Sequence, residues 1–100
     1  MNDTAMNQLL RQNTAVETAP LQQETILFHP RLNRFCVLNR TSSFIWERLR
    51  SPISPEQIAD ELSATFNGVT PAEALKDVTQ ALSTLKELDL VVVHNSEGLA

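Results

Sequence analysis

"VLNRTSSFIWERL", residues 37–49, is where the chain's hydrophobic pattern changes from a period of two to a period near 3.6. An apolar run ends at Asn39, whose short side chain suits a helix N-cap, and Phe44, Ile45, Trp46 and Leu49 follow at helical spacing. The stretch reads as a strand-to-helix corner: Asn39 turns the chain, and Ile45, Trp46 and Leu49 bury the new helix. The single tryptophan therefore belongs to the scaffold.

Upstream of the corner, "RFCVLN" predicts a strand with Phe35 and Val37 on one face and Cys36 and Leu38 on the other. Both faces are apolar, so helices on one side would leave one pair in need of cover. "ETILFHP" is a second β-prone run, closed by Pro30, and the short "HPRLN" connection favours an antiparallel hairpin. "TAVETAP" (residues 14–20) is a weaker strand candidate, and residues 1–13 read as a loose tail.

Downstream, helix starts are signed twice. In "ISPEQI", Ser54 is the N-cap, Pro55 takes N1, Gln57 completes a capping box, and Ile53 with Ile58 forms a hydrophobic staple. Ile58, Leu62 and Phe66 then recur at helical spacing, with Gly68 as the stop. In "VTPAEA", Thr70, Pro71 and Glu73 repeat the capping device, and Leu75, Val78, Leu82 and Leu85 predict one apolar stripe. The helix should end near Leu88, before a short strand in "LVVVH". The order predicts an α+β, winged helix-turn-helix-like domain: N-terminal antiparallel strands, three helices and a short C-terminal strand. Its bounds are residues 14–94, with 95–100 a second tail.

Composition is that of a soluble globular chain, 42% hydrophobic and 20% charged over 100 residues. No apolar stretch approaches the roughly 20 residues of a membrane span, no secretory segment opens the chain, and Cys36 has no second cysteine to pair with. The expectation is a cytoplasmic protein without a membrane partner. Net charge is −4, but residues 31–50 carry five arginines (31, 34, 40, 48 and 50) against Glu47. Such a basic band is commonly a solvated surface, and it would also suit an acidic peptide.

No catalytic or cofactor constellation is present. His29 and His94 lie at strand ends and read as edge or loop residues. Cys36 in its apolar strand reads as a small hydrophobe, although Arg34 lies two residues away on the same face. There is no CxxC, HExxH or glycine-rich phosphate loop. The chain is expected not to be an enzyme and to need no cofactor and no metal. A DNA-binding regulator would require a basic recognition helix. The third helix instead sets Glu73, Asp77, Glu87 and Asp89 against Lys76 and Lys86, which argues against nucleic acid as a partner.

Taken in order, "RFCVLNRTSSFIWERL", "SPEQIADELSATF" and "EALKDVTQALSTLKELDLV" resemble the PqqD-like family of small peptide chaperones, the recognition elements of ribosomally made, post-translationally modified peptides (RiPPs). Leu38, Asn39, Thr41, Ile45, Trp46, Leu49, Ile58, Leu62, Asp77, Val78, Leu82, Leu85 and Leu88 match the family pattern, over roughly residues 14–93. The resemblance implies a non-catalytic adaptor that binds the leader of a precursor peptide and presents it to a separate peptidase, cyclase or radical enzyme. In the family the leader adds as an antiparallel strand beside the last N-terminal strand, and it packs into the groove toward the third helix. The matching strand is Arg34, Phe35, Cys36, Val37 and Leu38.

Two borders of the third helix could line that groove, Thr79, Ser83 and Lys86 on one side or Asp77 and Thr84 on the other. The first is the expectation, with Leu82, because Lys86 and Arg34 would together meet acidic leader residues; Asp77 is kept as a further candidate. PQQ-pathway chaperones of the family tend to carry Cys-Asp-Gly after the first helix, where this chain has "RLRSPIS". Its "IW" in place of "IL" leans toward recognition proteins of lasso-peptide and other RiPP clusters. An open strand edge with apolar neighbours could also pair with its own copy as a homodimer.

Overall fold

A computed structural model of the chain describes residues 8–94. In order they form β1 (Leu9–Gln12), β2 (Glu17–Leu21), β3 (Glu24–His29), β4 (Arg34–Leu38), α1 (Arg40–Arg48), α2 (Pro55–Thr65), α3 (Pro71–Glu87) and β5 (Val91–His94). The α+β order of strands, three helices and a final short strand is the one the sequence predicts. The last of the two tails, residues 95–100, lies outside the described residues, as do residues 1–7 of the first.

Two antiparallel sheets result, β2-β3-β4 and β1-β5. In the first, Gln22 (φ 51°) supplies the left-handed residue of the two-residue β2–β3 connection, and Asn33 (φ 53°) does the same in the β3–β4 turn. The second sheet corrects the reading of residues 1–13 as a loose tail. Leu9–Gln12 pairs with β5, Leu10 bridges to Ile53, and Leu10 is buried at 5% exposure. Four residues with one buried leucine carry too little pattern to announce a strand; the pairing is with residues some 80 positions away, beyond any local signal.

The helix caps form as read. Ser42 N–H donates to Asn39 Oδ1 (2.9 Å) at α1, and both capping boxes close: Gln57 N–H to Ser54 Oγ (3.2 Å) and Glu73 N–H to Thr70 Oγ1 (3.1 Å), with the reciprocal bonds also present. The core gathers Leu27, Leu38, Ile45, Trp46, Leu49, Ile58, Leu62, Val78, Leu82 and Leu85 from every layer. One member of the expected α3 stripe is displaced: Ala74 is fully buried, and Leu75 is 37% exposed. Ala74, Val78, Leu82 and Leu85 make the buried stripe at 4, 4, 3 spacing, and Leu75 stands at its outer margin. Among the described residues no helix is long and apolar enough to cross a membrane.

Because Leu10 fills core space, Leu10→Ala should lower stability by roughly 2–5 kcal/mol. Urea unfolding followed by far-UV circular dichroism would measure it; an unchanged midpoint would return residues 9–12 to the status of a tail.

Candidate functional site

The three-stranded sheet has two edges, and they differ chemically. β2 is exposed along its whole length and carries Pro20, which lacks an N–H, and Glu17. These are the usual devices that discourage a further strand. β4 has neither a proline nor an acid, and among the described residues no strand pairs with its far side. Its backbone donors and acceptors on that side are available to an incoming chain.

The space beside this edge is a trough of about 480 Å³. Cys36, Val37, Leu38 and Asn39 form one wall, the start of α1 (Thr41, Ser42, Ile45) closes one end, and Asp77, Gln80, Ala81, Thr84 and Leu85 of α3 form the other wall. Ala81 is the smallest residue of that wall and half-buried, which leaves room between helix and strand. A smaller hollow of about 170 Å³ continues the trough past Cys36 to Arg34 and Phe35, floored by Leu88 and Leu90.

The opposite face of β4 is open as well. Phe35 is 72% and Val37 63% exposed. They lie opposite Phe28 and Ile26 of β3, with the Phe28 and Phe35 rings 4.6 Å apart, so an apolar strip runs across the outer sheet face. Of the two apolar faces read from the sequence, the Leu38 and Cys36 side meets the core and the Phe35 and Val37 side is the uncovered one.

The expected border of α3 is not the one that faces the strand. Thr79, Leu82, Ser83 and Lys86 line a separate hollow with Gln8, Leu10 and Pro55, on the side of α3 turned toward β1 and α2. Asp77 and Thr84 face β4, joined by Gln80 and Ala81, which the sequence reading did not single out. The sequence reading chose between the two borders by charge, setting Lys86 with Arg34, whereas the packing of α3 turns the Asp77 and Thr84 border to β4. Arg34, Phe35, Cys36, Val37 and Leu38 all lie where the sequence places them, on the open edge strand.

His29 differs from its reading as an edge or loop residue. It is 1% exposed, its Nδ1 accepts from Leu32 N–H (3.3 Å), and it therefore presents an Nε2–H to Asp89 Oδ2 at 3.0 Å. The pair ties the end of β3 to the turn after α3. The Cys36 thiol is half-buried in the β4 wall of the trough, and that desolvation pushes its pKa above the ordinary value. Arg34 does not activate it. Among the described residues no group of three or more His, Cys, Asp or Glu could hold a metal ion.

The arginine band is partly absorbed into structure. Arg48 pairs with Glu61 (3.2 Å) over the Phe44 ring, Arg50 reaches Glu47 (3.6 Å), and Arg40 lies 5.0 Å over Phe66. Arg34, beside the open edge, makes no ion pair among the described residues.

Fold and site together define a class: a small α+β domain whose sheet ends in an unguarded strand beside a helix-walled trough. Residues 24–91 match the family model described as coenzyme PQQ synthesis protein D (PqqD), and the chain belongs to that family. Two solved structures are similar. One is "TbiB1 in complex with the TbiA(beta) leader peptide", 26% identical with a TM-score of 0.75, covering 81% of this chain and 93% of that one. The other is "Lasso peptide synthetase B1 complexed with the leader peptide", 24% identical with a TM-score of 0.73, covering 83% and 96%, a likeness of fold. No curated protein matches the sequence.

A raised thiol pKa has two measurable effects. At pH 8 the folded protein should react with iodoacetamide more slowly than the urea-unfolded chain, because less of its thiol is thiolate. A folded pKa above the unfolded one leaves stability intact below the ordinary thiol range and removes it as pH rises through the folded value. Cys36→Ala should therefore hold its denaturation midpoint further into alkali than the parent.

Proposed function

We propose that this chain is a non-catalytic adaptor that captures the leader of a ribosomally made precursor peptide as an added strand on β4. It then presents the peptide to a separate maturation enzyme of lasso-peptide or other RiPP biosynthesis. The observation that carries the reading is the unguarded β4 edge lying over the α3-walled trough. In β-strand addition, main-chain hydrogen bonds supply affinity and pockets for alternate side chains supply specificity. An extended peptide on β4 would send every second side chain into the trough and the others onto the strip made by Phe35 and Val37. The leader peptide in the structure of TbiB1, a protein similar to this one over most of its length, supports the same reading.

Site residues follow from the geometry. Arg34 to Leu38 would supply the backbone ladder, and Asp77, Gln80, Ala81 and Thr84 the facing wall. Thr79, Ser83, Lys86 and Leu82 line the far hollow, and on this reading they would lie outside the contact. The rival DNA-binding reading finds no support in α3, whose exposed positions include Glu73, Asp77 and Glu87. The PQQ-pathway reading is weaker than the lasso-type one, given "RLRSPIS" after α1 and the leader complex of the similar structure.

The test is a titration of ¹⁵N-labelled protein with the leader segment of a candidate RiPP precursor peptide. Amide shifts should cluster on residues 34–38 and along the Asp77–Thr84 side of α3; shifts confined elsewhere would sink the proposed mode. Thr84→Trp, an exposed substitution that fills the trough, should weaken binding about tenfold or more, a loss of ~1.4 kcal/mol. Ser83→Trp, one residue away on the other border, should leave affinity unchanged.

A further inference from the structure

The trough along β4 is not electrically uniform. The hollow at its far end brings Leu88 and Leu90 beside Arg34 and Cys36, while the main trough sets the earlier turns of α3, Asp77 to Leu85, against the later part of the strand and the start of α1, Cys36 to Asn39 with Thr41. α3 therefore runs antiparallel to β4. Asp77 precedes Leu88 by about 16 Å of helix rise, close to the ~14 Å from Arg34 to Leu38. One acid and one base thus mark opposite ends of a slot about five peptide residues long.

Neither marker is neutralised by a described residue. Asp77 and Arg34 make no ion pair among the described residues. Other charges nearby are engaged or turned away. Asp89 accepts from His29 and Asn13, Arg40 lies over Phe66, and Lys76 borders a separate shallow hollow with Leu75 and Thr79. Arg31, in the turn before β4, adds to the basic end. The β2-β3-β4 sheet is antiparallel throughout, and a further strand in the same sense starts opposite Leu38 and ends opposite Arg34.

We infer that the slot selects its peptide by charge order: a basic side chain at the N-terminal end of the added strand, meeting Asp77, and an acidic one at the C-terminal end, meeting Arg34. This rests on the strand-addition reading above. The two contacts are rim contacts in water, so they set direction and register more than total affinity, and salt weakens them.

The experiment pans a displayed library of random 12-residue peptides at low salt on the wild-type protein, on Asp77→Lys and on Arg34→Glu. Both substitutions are at exposed positions. The wild-type pool should be enriched in Lys and Arg on the N-terminal side of an alternating apolar segment and in Asp and Glu on its C-terminal side. Asp77→Lys should turn the first preference acidic, and Arg34→Glu the second basic. A peptide from the wild-type pool should lose roughly fivefold in affinity on each variant. Peptides that lose affinity on Thr84→Trp but carry no positional charge preference, or the reverse order, would overturn this inference and leave strand addition standing. A wild-type pool whose binding ignores Thr84→Trp would overturn both.

Discussion

The burial of one face of α1 between the two sheets is the constraint on which the rest depends. Ile45 and Leu49 are fully buried and Trp46 almost so. Trp46 Nε1–H donates to Thr18 Oγ1 (3.2 Å) on β2, while the Trp46 carbonyl accepts from Gln12 Nε2 (2.8 Å) on β1. Gln12 N–H also donates to the Leu49 carbonyl (2.9 Å). A nine-residue helix is too short to be stable by itself, so it exists because these contacts hold it. In return it fixes both sheets relative to each other and closes one end of the trough.

With α1 set, β4 is held by its pairing to β3 and by Leu38 in the core, and it needs no cover on its outer side. α3 runs alongside that free side, antiparallel to β4, at a distance that Ala81 permits. The site is thus an omission supported by scaffold: a missing strand and a small residue where a large one would fill the gap. The energy that keeps the gap open comes from elsewhere, from capping boxes and the leucines of α2 and α3. The trough wall and the folding core share few side chains, since Asp77, Gln80 and Thr84 are exposed residues outside the core.

Most of the fold was legible because its signals are local. Asn39, the Ser54–Gln57 pair and the Thr70–Glu73 pair each announce a helix start within four residues, and the structure forms all three. β1 was not legible, since its stability comes from β5 and Ile53, distant in sequence. The trough was half legible. The strand at 34–38 follows from period two and its open edge from the family resemblance. The α3 border was chosen by the charge of Lys86, while packing turns Asp77 and Thr84 to β4. The stripe itself departs at its first member. Leucine is the more apolar residue, yet alanine takes the buried position. His29 was misread for a related reason: its partner Asp89 lies 60 residues away.

The contrast between the two edges of the β2-β3-β4 sheet limits what the molecule can build. Pro20 and Glu17 on β2 disfavour pairing there, so the β4 side is the edge of this sheet suited to accept a strand. Two copies joined through that side would be related by a twofold axis, each consuming the other's single acceptor, and the assembly would close at two. Head-to-tail growth into a fibre needs two competent edges per molecule, and this sheet has one. A bound peptide and a second copy would compete for the same row of amides. An exposed edge that would be an aggregation hazard in a symmetric sheet is here a single-use socket, emptied or filled once per chain.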